Sequence, residues 1–251
     1  ILNGIQNLSN DVIKDYFRFS TIYNKSNSLK IVEQIKYHKN ISYKRFKKLI
    51  ILDLDNTLWQ GTLGDDFIEG IKMDKTDPIG SVFRNVQEIL LKLKDSGFLL
   101  AISSKNEEEV ALRALFENES SLFKKEDIIC HKINWDLKSK NIKKICKELN
   151  ISTKDTIFID DSTYECEEVQ RNCEGISIIQ VPKNIYQYPI IIKNSPLFDL
   201  DKSSIEDKNR TKLYKDRSER EILLDNTFKE KGKKEDWIIS LKQKLIISKL
   251  N

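Results

Sequence analysis

The chain holds 251 residues, 39% hydrophobic and 33% charged, with 43 Lys and Arg against 39 Asp and Glu for a formal net charge of +4. That length can bury a good core as one large domain or one domain plus an appendage, and basic side chains spread along the chain instead of gathered in a tail do not point to nucleic acid. No apolar run approaches the ~20 residues of a membrane span, nothing at the start reads as a cleavable signal, and Cys130, Cys146, Cys166 and Cys173 show neither a CxxC pair nor zinc spacing, so a soluble protein of the reducing cytoplasm is expected.

Residues 1–46 carry the aromatics Tyr16, Phe17, Phe19 and Tyr23 and a helical pattern over 29–37, but no chemical motif. They read as a lead-in, and His38 as a solvated loop residue. The chemistry begins in 47–64, KKLIILDLDNTLWQGTLG. The run Leu49-Ile50-Ile51-Leu52 is too short for an ordinary helix and has the composition of a strand buried on both faces. Asp53 and Asp55 stand at its end. Two carboxylates one residue apart at the tip of a buried parallel strand sit where open α/β sheets place their ligands, and they cost desolvation energy unless a cation or donor compensates them. Something positive should bind there.

Three glycines, an acidic pair and Asp77-Pro78 make 60–78 a short flap with no room for a domain. Apolar residues at helical spacing from Val82 to Leu93 predict a helix over 81–95 stopped by Gly97, and 98–103 a second buried strand. Ser104 then has two readings: an N-cap for the helical segment 110–116, whose first turn is acidic, or a hydroxyl presented to a ligand. A strand over 128–133, a helix over 139–149, strands at 157–159 and 176–181 and a helix over 164–172 follow. Strands alternating with helices predict an α/β fold with a parallel sheet covered on both faces. His131, Cys146, Cys166 and Cys173 read as structural residues. Beyond Pro196, a densely charged helical run over 207–220 and an amphipathic helix over 237–250 form an extension, giving a lead-in of 1–46, a domain of 47–196 and a helical C-terminal extension of 197–251.

The residues Asp53-x-Asp55-x-Thr57 resemble the first motif of the haloacid-dehalogenase-like (HAD-like) phosphotransferases. Asp55-Asn-Thr-Leu-Trp59, Gly61-Thr-Leu-Gly-Asp-Asp66, Ser104-Lys105-Asn106, Trp135-Asp-Leu-Lys-Ser-Lys-Asn141 and Phe158-Ile-Asp-Asp-Ser162 are similar, in that order, to the FkbH-like branch. The resemblance implies a HAD-like, Rossmann-like sheet with a short flap in place of a large cap. It implies Asp53 as nucleophile, Asp55 as acid and then base, Lys138 and Ser104 as further catalytic groups, and Thr57, Lys105 and Asn106 with Ser104 and Lys138 on the phosphate. It also implies Mg²⁺ held by Asp53, Asp160 and Asp161 and by Asp55 through its backbone carbonyl.

In that branch the substrate is a phosphorylated three-carbon acid, 1,3-bisphosphoglycerate, whose glyceryl group passes to the phosphopantetheine thiol of an acyl carrier protein. Many relatives carry cysteine between the two motif aspartates where this chain has Leu54, leaving direct attack by the carrier thiol or a role for Cys166. A stand-alone Mg²⁺-dependent phosphatase of a small or tethered ester, and a non-catalytic interaction module, are the competing readings.

Overall fold

The computed structural model describes residues 47–198 together with 211, 213, 214 and 216. The lead-in with His38, and the extension apart from those four helical positions, lie outside the described residues. In chain order the elements are β1 (Leu49–Leu52), α1 (Leu63–Gly70), α2 (Pro78–Asp95), β2 (Leu99–Ser104), α3 (Glu108–Phe116), β3 (Ile128–Ile133), α4 (Lys138–Glu148), β4 (Thr156–Asp160), α5 (Thr163–Asn172), β5 (Ser177–Gln180) and α6 (Tyr188–Asn194).

The strands form one parallel sheet in the order β3-β2-β1-β4-β5. β1 lies in the middle, with Leu52 opposite Ile102 on one side and Ile159 on the other. Because side chains alternate along a strand, its residues feed two cores. Ile50 and Leu52 pack with Phe83, Val86 and Leu90 of α2, Ala111 and Leu115 of α3 and Tyr188 of α6. Leu49 and Ile51 pack with Ile142, Ile145 and Cys146 of α4 and Val169 and Cys173 of α5, and the partly buried Tyr214 leans on this second cluster. Burial on both faces is the reason β1 can be four consecutive apolar residues. The doubly covered α/β fold expected from the sequence is the one observed.

Boundaries shift where capping decides them. α2 starts at Pro78 instead of 81, because the Asp77 carboxylate accepts from the amides of Ile79 and Gly80 at 2.9 and 2.8 Å and Pro78 needs no donor in the first turn. Gly80 is required there, since a Cβ on it would lie 2.5 Å from the Asp74 carbonyl. The flap is smaller than a cap domain: Gln60 and Lys72 pair as an antiparallel bridge and enclose the eight-residue α1. α6, with Pro189 in its first turn, is an element the sequence reading did not contain.

Candidate active site

All the expected site residues lie at or just beyond the carboxyl ends of β1, β2, β3 and β4. Asp53 comes directly after β1, and its amide donates to the Ile159 carbonyl at 3.0 Å, extending the β1–β4 ladder by one residue. The chain then turns tightly: Thr57 and Leu58 amides both return to the Leu54 carbonyl, and Asn56 takes a positive φ of 51°. Asparagine tolerates that conformation, and its side-chain oxygen accepts from Gly61 N and Gln60 Nε2 at 3.0 Å each. From α2, fully buried Gln87 fixes the far end of the turn. It donates to the Leu58 carbonyl at 2.8 Å and accepts from the Leu122 amide at 2.9 Å.

The turn aims Asp53 at the tip of β4. Carboxylate oxygens of Asp53, Asp160 and Asp161 come within 4.8 Å of one another. Lys138, in the first turn of α4, reaches between them, 2.7 Å from Asp53 Oδ1 and 2.5 Å from Asp160 Oδ2, over the Phe158 ring. Asp160 Oδ1 accepts from the Ser162 amide at 2.8 Å. Burial, then the Asp53 charge, push the Asp160 carboxyl up to about 7, and the same two causes raise Asp161. Burial by itself would lower the Lys138 pKa, but Asp53 and Asp160 together outweigh it and hold the ammonium above the usual lysine range.

One ammonium cannot neutralise three converging carboxylates, so the donor set is short of positive charge. Hard oxygen ligands at this separation fit a divalent cation such as Mg²⁺.

Asp55 stands apart from that cluster. Its Oδ1 accepts from Trp59 Nε1 at 2.9 Å and the Leu63 amide at 3.3 Å, and its Oδ2 from Asn106 Nδ2 at 3.1 Å. Its carboxylate is thereby committed to hydrogen bonds and does not join the Asp53, Asp160 and Asp161 group. Burial raises its pKa against the opposing effect of those donors. A carboxyl shifted upward and held rigidly beside a second carboxylate suits proton transfer.

Ser104 closes β2 and is almost fully buried. It does not cap α3, whose N-cap is Glu107; its Oγ accepts from Asn106 Nδ2 at 3.1 Å. Asn106 therefore ties Ser104 to Asp55. Thr57 Oγ1 is buried with no hydrogen-bond partner, a donor available to a ligand. Lys105 turns to Glu165 of α5, 2.6 Å away.

The cysteines are not poised for chemistry. Cys166 Sγ lies 3.7 Å from the Asp160 carbonyl in the core, and burial, then Asp160, push its thiol up to about 12. His131 pairs with Glu108 at 3.1 Å on the edge strand. It lines a groove of about 1060 Å³ along β3 whose walls include none of the clustered aspartates. We place the chemistry at the strand tips because there, among the described residues, carboxylates converge around a buried cation.

Trp59, Gln87 and Glu165 hold this site together, and sequence reasoning gave none of them a role. The spacing of Trp59 four residues after Asp55 was visible; the partners of Gln87 and Glu165 lie at sequence separations of 29 and 60 and leave no local signal.

Fold and site together define an α/β enzyme with an acid cluster at the tip of its central strand. The chain matches the family of haloacid dehalogenase-like hydrolases over residues 20–179, more than half its length, and it belongs to that family. Among solved structures it is similar to the N-terminal part of protein BF1531 from Bacteroides fragilis, described as containing a phosphatase domain complexed with Mg, at 31% identity and a TM-score of 0.63. That match covers 74% of this chain and 50% of the other, so this chain spans about half of that structure's length. A HAD family enzyme from Bacteroides thetaiotaomicron, solved with magnesium and inorganic phosphate, matches at 16% identity and a TM-score of 0.39, covering 55% of this chain and 96% of its own. No curated protein matches.

Proposed function

We propose that the protein is a Mg²⁺-dependent phosphatase that works through an aspartyl-phosphate on Asp53. The observation that carries this reading is the convergence of Asp53, Asp160 and Asp161 beside the buried ammonium of Lys138. Asp53 Oδ attacks phosphorus and the ester P–O bond breaks, while Asp55 gives its proton to the leaving oxygen. Asp55, now ionised, takes a proton from water as that water attacks the phosphoenzyme. The bond to Asp53 then breaks, releasing phosphate.

Asp53, Asp160 and Asp161 would hold Mg²⁺, which offsets negative charge on the phosphoryl oxygens when bound. The BF1531 structure, described as a Mg complex, supports that choice of ion. Lys138 orients the nucleophile, and Thr57 Oγ1 and Ser104 Oγ donate to the phosphoryl group.

We further propose that the acceptor is the phosphopantetheine thiol of an acyl carrier protein and the substrate 1,3-bisphosphoglycerate, as the FkbH-like motifs imply. One structural feature favours an external thiol. Cys146, Cys166 and Cys173 are buried, and burial raises the thiol pKa of all four cysteines, to about 12 for Cys130 and Cys166. An acyl phosphate displaced by sulfur would therefore need sulfur brought by a partner.

The test is to incubate the full chain with Mg²⁺ and a phosphorylated substrate and look for an acid-stable, hydroxylamine-labile phosphoenzyme by mass spectrometry. It should form in the native protein and be absent in Asp53→Asn, with turnover reduced by at least ~10³-fold. Normal turnover by Asp53→Asn would end the assignment. Adding bisphosphoglycerate and a phosphopantetheinylated carrier separates the two levels: a glyceryl mass on the carrier supports transfer, whereas free phosphate alone leaves a phosphatase.

A further inference from the structure

The helix that carries Lys138 begins with a chemical deficit. The N-cap of α4 is Leu137, whose side chain has no acceptor for the free amides of the first turn, and that turn contains no acid. The missing acceptor comes from another helix. Glu168 of α5 takes the Ser139 hydroxyl on Oε1 at 2.5 Å and the Ser139 amide on Oε2 at 3.1 Å. Cys173, directly after α5, adds a third contact, its Sγ lying 3.7 Å from the Ser139 carbonyl. Hydroxyl, amide and carbonyl of one buried residue are thus all engaged by α5 or by the residue that follows it.

Glu168 is itself held. Asn172 donates from Nδ2 to its Oε1 at 3.0 Å and to its carbonyl at 2.9 Å. The other end of α5 starts at the acid cluster, where Ser162, its N-cap, donates its amide to Asp160 Oδ1 at 2.8 Å. The same helix therefore fixes Asp160 at its start and grips Ser139 further along. Ser139 is the chain neighbour of Lys138, whose ammonium lies between Asp53 and Asp160. A single rigid element thereby sets the start of α4 relative to the carboxylates that Lys138 must reach.

We propose that Glu168 is a positioning residue for the reaction: by capping α4 from α5 it fixes the backbone at Lys138, and with it the ammonium that orients Asp53. The proposal rests on the phosphatase reading and adds to it a residue on a different helix. Glu168 acts through Ser139 and Lys138 instead of on the substrate. Its negative charge at the amino end of α4 also matches the positive end of that helix's dipole. Small displacements of a group that aligns a nucleophile slow the chemical step more than they weaken binding, so the loss belongs in rate.

Single-turnover formation of the phosphoenzyme by the full chain, with Mg²⁺ and p-nitrophenyl phosphate, reads this. In Glu168→Ala the maximal rate should fall about tenfold or more, while the half-saturating concentration moves by less than about twofold. Glu168→Gln should regain most of that rate, because its Oε1 accepts from the Ser139 amide and its Nε2 donates to the Ser139 hydroxyl. A carboxylate that only braces the fold would lower the melting temperature and leave the maximal rate of the folded protein unchanged, which overturns the proposal. Glu168→Gln as slow as Glu168→Ala overturns it too. Should Glu168→Ala not fold, Ser139→Ala takes its place: it loses the hydroxyl bond alone and should be slower by about threefold or more, an unchanged rate again overturning the proposal.

Calorimetry with orthovanadate and Mg²⁺ shows whether the effect travels through Lys138, vanadate being an analogue of the phosphoryl group in transfer. Glu168→Ala should weaken vanadate binding about tenfold in the native background but by less than about twofold in Lys138→Met, and equal losses in both overturn the proposal. If no phosphoenzyme forms, the phosphatase reading fails first. Urea unfolding of the metal-free protein then decides the inference alone. Midpoint shifts of Glu168→Ala and Lys138→Met that simply add in the double variant overturn it, and a double shift smaller than their sum supports it.

Discussion

The ammonium of Lys138 lies 2.7 Å from the carboxylate of Asp53 with both side chains more than nine-tenths buried. A buried pair of this kind is weak evidence for stability, because each ion surrenders its hydration. Its value here is positional: α4 enters the site at its first residue, so the whole helix anchors the cation that orients the nucleophile. Removing one partner is a different matter, since Asp53 and Asp160 would both be left buried and uncompensated. We expect Lys138→Met to lose ~3–5 kcal/mol in urea unfolding with metal removed, and to lose turnover. Adding Mg²⁺ should recover part of the stability but none of the orientation. A variant as stable as the native chain would mean that the pair is not formed in solution.

Mg²⁺ and pH should act on the same cluster. The Asp160 carboxyl stands near 7 in the folded protein against 3.8 when free, so the unfolded chain gives up that proton first. The stability tied to it is present below pH ~4 and is lost as pH rises through about 7 in metal-free protein. A bound divalent ion reverses this, because it needs the ionised form and releases the proton. Mg²⁺ at about a hundred times its dissociation constant should then raise the melting temperature by ~5 °C or more at pH 8, and by much less at pH 5. Scanning fluorimetry with Mg²⁺ and with EDTA at both pH values reads this directly; a shift that is equal at both, or absent, removes the cation from this cluster.

Asp55 offers a second pH signature. As the proposed acid it must be protonated when the leaving oxygen departs, and burial already raises its pKa. Asn106 opposes that rise by donating to Oδ2. Replacing Asn106 with leucine removes a donor to the ionised form, so the pKa rises further and the alkaline limb of phosphoenzyme formation should move to higher pH. Rapid-quench measurement from pH 6 to pH 9 checks it. A limb that stays in place would assign the proton to another group.

How much of this was readable follows from the range of the interactions. β1 was legible because its four apolar residues need burial on both faces, and the carboxylates at its tip announced a ligand end. Asp77-Pro78 was read as turn chemistry, yet the same residues cap α2, because a carboxylate accepting two amides serves a turn and a helix start alike. Ser104 carried two readings for the same reason, and only the tertiary structure, with Glu107 at the N-cap, separates them. Asn106 and Lys105 stood in the right stretch, but their partners, Asp55 and Glu165, come from the turn after β1 and from α5. Nothing in a local pattern encodes a meeting across the end of a sheet. α6 was missed because Pro182 and Pro189 lie close together and hide a seven-residue helix.

The flap holds a strain that can be released and measured. Phe67 sits inside α1 with φ 56° and ψ −177°, a combination that side chains other than hydrogen rarely adopt, and it splits the helix at that point. The residue is 68% exposed, so packing does not compensate the cost. Strain of this kind is worth about 1–3 kcal/mol, against which a glycine loses more chain entropy on folding, so Phe67→Gly should gain a net ~1 kcal/mol in urea unfolding. The leading turn of α1 must stay in place for the reading of Asp55 to hold, because the Leu63 amide donates to that carboxylate. The variant therefore separates two roles for the exposed ring. If stability rises while kcat/KM for a tethered phosphate ester falls, the conformation is retained for contact with substrate at the mouth of the site. If stability rises and turnover is unchanged, the ring serves no contact there. A loss of stability would mean that Phe67 is held in this conformation by packing that its exposure does not reveal.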